Sequence, residues 1–205
     1  ALAETYGEAG SHSARSRRIA LVGLRGAGKS TLGQRLADAL DAPFVELNRE
    51  IERVSGCGLA EIHNLLGPNA YRRYERRALE ETIQLYPDAV IATPGGIVSD
   101  ASNFNLLLSN CFTVWLKATP EEHMNRVIAQ GDFRPMAASG SGAVGGRDAP
   151  PVALGEAMDD LKRILAGRSA FYSKADVACD TSGKGLDESF ADLLELVRTE
   201  TQKTH

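Results

Sequence analysis

Residues 23–30 read Gly-Leu-Arg-Gly-Ala-Gly-Lys-Ser, the pattern G-x-x-x-x-G-K-[ST], and the apolar run Ile19-Ala20-Leu21-Val22 stands directly before them. That spacing makes a phosphate cradle. Glycines at 23, 26 and 28 let the loop curl, so that backbone N–H groups from Arg25 through Gly26, Ala27, Gly28, Lys29, Ser30 and Thr31 can turn toward an anion. Lys29 reaches the β- and γ-phosphates of a nucleotide, and the Ser30 hydroxyl ligates Mg²⁺. The alternative, a glycine-rich turn with no ligand, is disfavoured by the strand before the loop and the helix pattern after it.

The elements that must hold this loop alternate between strand and helix. After the strand at 19–22, Leu32, Leu36, Ala37 and Leu40 recur at helical spacing, and Asp41-Ala42-Pro43 stops the helix. Phe44-Val45-Glu46-Leu47 reads as a second strand, with Asn48 capping a helix over 48–55. A helix over 59–66 ends at Gly67-Pro68, and a charged amphipathic helix follows over 71–86, offering Tyr71, Tyr74, Ala78, Leu79, Ile83 and Leu85 to the core. Strands at 89–92, 112–116 and 177–179 alternate with helices at 101–109, 120–130, 155–166 and 186–198. Right-handed crossovers then predict a P-loop α/β fold with a five-stranded, mostly parallel sheet covered on both faces.

Composition narrows the class. The 205 residues suit one α/β domain, and 23 basic against 27 acidic residues leave a net charge of −4, without the basic excess of a nucleic-acid-binding surface. Cys57, Cys111 and Cys179 show no metal-ligand spacing, which suits a reducing cytoplasm. No stretch is long and apolar enough to span a bilayer, so no membrane partner is expected. Residues 1–17 read as a linker or tail, 18–200 as the domain and 201–205 as a tail. Between Ala137 and Pro151 the chain is Gly, Ala, Ser and Pro with little apolar bulk, and it reads as a mobile insertion within a lid over about 131–155.

The motifs beyond the loop carry a resemblance. Phe44-x-Glu46-x-Asn48-x-x-Ile51-Glu52, Tyr71-Arg72-Arg73-Tyr74-Glu75, Pro94-Gly95-Gly96, Arg134-Pro135, and Arg168 with Tyr172 follow in the order seen in shikimate kinases, and the chain from about 18 to 198 resembles that family. The resemblance implies ATP with Mg²⁺ as cofactor and shikimate as the acceptor. Ser30 and Glu46 would hold the metal. Arg134 would close over the phosphates, and Arg126 would lie against the adenine. Asn48, Arg72, Gly95, Gly96 and Arg168 would contact the substrate or effector, with Lys29, Arg134 and Asn48 carrying the chemistry. Guanidinium forks at 72 and 168 suit a carboxylate, which they bind bidentately, and Glu75 lies one turn along to hold Arg72. Arg73, Arg76 and Arg77 read as a solvated ion-pair face.

Three departures bear on activity. The family has aspartates where this chain has Glu46 and Asn48, and glycine where it has Pro94. Asparagine can orient a hydroxyl but cannot take its proton, and proline removes a backbone N–H beside the γ-phosphate. Together with Thr113-Val114-Trp115-Leu116-Lys117-Ala118 and Asp180-Thr181-Ser182-Gly183, these changes resemble a narrower group. That group is the helix-turn-helix regulators of benzoate degradation, whose shikimate-kinase-like half senses benzoyl-CoA. The leading expectation is therefore an effector-sensing domain of a transcriptional regulator, binding an aromatic acyl-CoA with no further cofactor. It would meet DNA only through a domain preceding Ala1 and could form a homodimer in the full-length protein. The alternative is an active shikimate kinase that transfers the ATP γ-phosphate to the shikimate 3-hydroxyl.

Overall fold

The computed structural model describes Arg15 and residues 17–129 and 151–203. Its centre is β1 (Arg18–Val22), whose run of small and branched apolar side chains is buried on both sides, as a strand in the middle of a parallel sheet must be. The P-loop leads from β1 into α1 (Lys29–Leu40). There follow β2 (Phe44–Glu46), α2 (Leu47–Ser55), α3 (Gly67–Leu85) and β3 (Ala89–Ala92). The chain continues through α4 (Ala101–Asn110), β4 (Phe112–Lys117), α5 (Pro120–Ala129), α6 (Pro151–Tyr172), β5 (Val177–Asp180) and α7 (Leu186–Gln202). The five strands run parallel in the order β2-β3-β1-β4-β5.

Alternation along the strands divides the core between the two faces. Ala20, Val22, Ala89 and Ile91 pack with Leu47, Ile51, Tyr71, Leu79, Phe104 and Tyr172, which belong to the helices of one face. Ile19, Leu21, Val90, Val114 and Leu116 pack with Leu32, Leu36, Leu193 and Val197 of α1 and α7 on the other. The phosphate-binding helix thus sits on one side of the sheet, and the helices carrying Arg72 and Arg168 sit on the opposite side. The loops at the carboxyl ends of the strands lie between them, where open α/β sheets bind their ligands.

Several boundaries differ from expectation. Asn48 does not cap α2: the helix already begins at Leu47, and Glu46 occupies the cap position without a side-chain cap bond. Gly67-Pro68 opens α3 rather than closing the previous helix, with proline in the first turn where its missing N–H has no intrahelical role. The turn before it continues from Leu59–Glu61 into a π-helical segment, Ile62–Leu66. Leu85, expected in the core, is 65% exposed and is the last residue of α3. Helix α6 begins at Pro151, inside the stretch read as an insertion. The rest of that insertion, most of the lid and Arg134 lie outside the described residues.

Candidate active site

The loop has the backbone its sequence requires. Gly26 and Gly28 adopt φ of +80° and +88°, and Gly23 adopts +148°, where a Cβ would sit 2.8 Å from the Leu116 carbonyl oxygen. Lys29 is 8% exposed, and its ammonium donates to the Gly23 and Leu24 carbonyls at 2.7 Å each. Burial pushes its pKa down to about 7, opposed by the Glu46 carboxylate and reinforced by Arg168 and Arg25. Ser30 Oγ donates to Glu46 Oε2 at 2.5 Å, so the hydroxyl and carboxylate assigned to Mg²⁺ meet at the end of β2. Two hard oxygen donors beside a phosphate loop fit a cation that takes its other ligands from phosphate and water. Thr31 lies beside them, on an open cleft that Gln34 and Arg49 also line.

Strand register brings two of the departures, Asn48 and Pro94, together with the third, Glu46. Glu46 pairs with Ala92, so Asn48 and Pro94 each stand two residues beyond a matched pair at the same end of neighbouring strands. Thr93 is anchored to β1, donating from both its N–H and its Oγ1 to the Leu21 carbonyl. The turn after it presses on the P-loop: a Cβ at Gly95 would meet the Arg25 backbone nitrogen at 2.9 Å. At Gly96 a Cβ would meet Nη2 of Arg72 at 3.4 Å and Nη2 of Arg168 at 3.8 Å. Two guanidinium groups 96 positions apart in the chain therefore converge over one glycine, on a turn packed against the phosphate loop.

Each arginine is held from behind. Arg72 Nη1 reaches Glu75 Oε1 at 2.9 Å, and the Glu75 side chain is fully buried. Asn103 donates from Nδ2 to Glu75 Oε1 at 2.9 Å and to the Arg72 carbonyl at 3.1 Å. Arg168 Nη1 donates to the Gly95 carbonyl at 3.2 Å, and the Tyr172 hydroxyl donates to the same oxygen at 2.6 Å. Burial raises the Tyr172 pKa to about 12, which keeps that donor protonated. Arg73, Arg76 and Arg77 stay apart from the site, and the latter two pair with Glu80 and Glu81. Arg126 lies beside the loop, with Nη1 at 3.4 Å from both the Ala27 carbonyl and Thr181 Oγ1.

Two buried polar residues, Asn103 and His123, were not singled out from sequence. Asn103 had a visible local signal, since Asp100 caps α4 by accepting from the Asn103 N–H and so fixes which way that first turn faces. His123 in α5 had none. Because Glu75 is buried with its charge matched by Arg72, Glu75→Ala is expected to destabilise the fold by about 3 kcal/mol, and Glu75→Gln by less, since it keeps one acceptor for Asn103. Chemical denaturation of the three proteins checks this.

The comparisons with known proteins agree with this geometry. The family model described as shikimate kinase matches residues 25–198. The chain belongs to the shikimate kinase family. Among its relatives, the shikimate kinase of Caulobacter vibrioides is 35% identical over 167 residues, covering 82% of this chain and 75% of the relative. That of Caldanaerobacter subterraneus is 29% identical over 172 residues, covering 84% and 91%. Among solved structures, shikimate kinase from Acinetobacter baumannii in complex with shikimate superposes with a TM-score of 0.72 at 25% identity, over 90% of this chain and 94% of that one. The solved structure shares the fold described above. None of these shikimate kinases is a transcriptional regulator, so the narrower resemblance gains no support from them. No helix among the described residues is long and apolar enough to cross a membrane.

Proposed function

We propose that this chain binds Mg²⁺-ATP on the P-loop and shikimate, or a close hydroxy-carboxylate, over the Pro94-Gly95-Gly96 turn, as a shikimate kinase whose phosphoryl transfer is slow. The observation that carries the reading is the convergence of Arg72 and Arg168 on Gly96. Two planar cations, each braced by its own partner, can take both oxygens of a carboxylate. The turn's contact with the Arg25 backbone then sets that carboxylate's ring against the phosphate loop. Ser30 and Glu46 would hold Mg²⁺, which neutralises charge on the phosphates when bound. Lys29 would exchange its loop carbonyls for phosphate oxygens. Asn48 would orient the acceptor hydroxyl without deprotonating it. Arg134 would cover the phosphates and Arg126 the base. In this reading 18–200 is the catalytic domain, 131–155 its lid, and the protein acts in the cytoplasm.

Asn48 and Pro94 favour a second reading, in which the same scaffold senses an aromatic acyl-CoA for a transcriptional regulator whose DNA-binding domain lies outside this chain. Coenzyme A carries an adenine nucleotide with a pyrophosphate, which a P-loop can cradle, and an arm long enough to reach the carboxylate site. Such a protein could act as a homodimer. Calorimetric titration with ATP, shikimate and benzoyl-CoA in turn separates the two. The kinase reading expects ATP and shikimate to bind, with Arg72→Lys and Arg168→Lys each weakening shikimate by about 10-fold to 100-fold while leaving ATP unchanged. Micromolar binding of benzoyl-CoA with no detectable shikimate binding would replace it by the sensor.

A further inference from the structure

Arg168 and Tyr172 stand four residues apart on one side of α6 and meet at a single acceptor, the Gly95 carbonyl. Their bonds to it are unequal. Tyr172 Oη donates at 2.6 Å, whereas Arg168 Nη1 donates at 3.2 Å, at the long end of the N–H···O range. Burial separates them further. Tyr172 is fully buried, so its hydroxyl cannot trade this acceptor for water, while Arg168 is half-buried and carries donors to spare. The Tyr172 ring is itself fixed to the sheet. It stacks on Trp115 of β4 with ring centroids 5.6 Å apart and planes at 26°, and Lys117 Nζ lies 4.9 Å from the Trp115 centroid. Just beyond α6 the Asp176 carboxylate accepts from the Thr113 N–H at 2.8 Å and from Thr113 Oγ1 at 2.9 Å, which pins the chain leaving that helix to the same strand.

The Gly95 turn follows β3, and β1 lies between β3 and β4 in the sheet. The Tyr172 hydroxyl therefore ties the turn across β1 to the residues anchored on β4. On its other side the turn abuts the phosphate loop, since a Cβ at Gly95 would stand 2.9 Å from the Arg25 backbone nitrogen. Arg168 is the movable partner. An end-on grip on a carboxylate takes Nη1 and Nη2 together, and Nη1 is the atom that Gly95 occupies. Its departure would leave a part-buried carbonyl without a donor unless a second one stayed behind, and an unsatisfied acceptor is costly. We propose that Tyr172 is a positioning residue of the carboxylate site: its hydroxyl keeps the Gly95 carbonyl satisfied and in place, which releases the Arg168 guanidinium to the ligand's carboxylate. Trp115, stacked on the ring, sets where that hydroxyl points. This deepens the carboxylate reading above and rests on it.

The test uses the full chain with Tyr172→Phe, which keeps the stacked ring and removes only the donor, with Arg168→Ala, and with both together. Titrations followed by NMR should show shikimate weakened by about 5-fold to 10-fold in Tyr172→Phe and ATP unchanged, because Arg168 must then leave the Gly95 carbonyl bare in order to bind. Added to Arg168→Ala, Tyr172→Phe should alter shikimate affinity by less than about 2-fold, since no guanidinium remains to be released. A hydroxyl that only supports the fold would lower the affinity equally in both backgrounds. In the ligand-free, ¹³C-labelled proteins the Gly95 carbonyl resonance should move further upfield in Tyr172→Phe than in Arg168→Ala, as the shorter bond is the one lost. Additive losses in the double variant, equal loss of ATP and shikimate affinity, or a larger carbonyl shift in Arg168→Ala overturns the assignment. A wild type that binds no shikimate removes the carboxylate reading and the release with it, whereas wild-type shikimate affinity in Tyr172→Phe overturns the release alone. Should Tyr172→Phe not fold, the Gly95 carbonyl resonance in Arg168→Ala decides: close to its wild-type position it upholds Tyr172 as the holder of the turn, and strongly displaced it gives that part to Arg168.

Discussion

Phosphoryl transfer from ATP to shikimate is expected to run near 10⁻³ s⁻¹, about 10⁴-fold below the ordinary enzyme rate of about 10 s⁻¹. The shikimate hydroxyl must lose its proton as its oxygen bonds to the γ-phosphorus and the bond to the ADP oxygen breaks. On the kinase reading Asn48 would stand where a base is wanted, and an amide accepts a hydrogen bond without accepting the proton. Pro94 follows directly on Thr93, which is fixed to β1, so the missing N–H lies beside the P-loop and cannot be supplied by a small shift of the turn. General-base loss and the loss of one donor to developing charge each cost on the order of 10²-fold. Asn48→Asp should recover about 10²-fold by itself. Asn48→Asp with Pro94→Gly should approach the ordinary rate, because Gly95, Gly96 and both guanidinium groups are already in place. A coupled assay of ADP release with and without shikimate measures this. Wild-type turnover at about 10 s⁻¹ would show that neither residue limits the reaction.

The fold was legible because its signals are local and mutually consistent. The run at Ile19–Val22 is apolar at every position and is followed at once by G-x-x-x-x-G-K-S, so strand, loop and helix confirm one another, and the later strands repeat the pattern. Boundaries failed where one residue type has two meanings. Gly67-Pro68 is both a stop and a start, and only the packing of Ala70 and Tyr71 into the core decides for the start. Asn48 has the side chain of a helix cap, yet the strand ends one residue early because Leu47 is needed in the core.

Site residues divided along the same line. The P-loop, Arg72 with Glu75, and Arg168 with Tyr172 sit in short motifs whose spacing states their relation. The convergence of Arg72 and Arg168 spans 96 positions, and no periodicity encodes it; it exists because α3 and α6 lie on the same face of the sheet. His123 was invisible for a different reason. A single histidine in an amphipathic helix is compatible with a surface, a core or a site, and only its burial in the structure excludes the first.

Lys29→Ala is expected to weaken ATP by at least about 100-fold while changing unfolding free energy by no more than about 2 kcal/mol. From sequence alone Lys29 belongs on an exposed loop, and its removal would be silent for stability. The structure makes the question sharper, because the ammonium is buried and donates to the Gly23 and Leu24 carbonyls. Removing it takes away two charge-assisted bonds, which destabilises, and also a desolvated charge, which stabilises. The losses are further softened at Leu24, whose carbonyl keeps the Ala27 N–H, so the two effects roughly cancel in the free protein. No such cancellation occurs with ligand bound. There, on the proposed reading, the ammonium would face phosphate oxygens, and its loss would leave charge on the β- and γ-phosphates uncompensated in a site that burial has made poorly screened. Shikimate affinity should be unchanged, since Arg72 and Arg168 are braced by Glu75 and Gly95 rather than by Lys29. Calorimetry with ATP and with shikimate, alongside thermal unfolding, reads all three quantities. Wild-type ATP affinity in a folded Lys29→Ala protein would remove the phosphate role from Lys29. A collapse in stability with ATP affinity kept in the folded fraction would make Lys29 a structural strut of the loop instead.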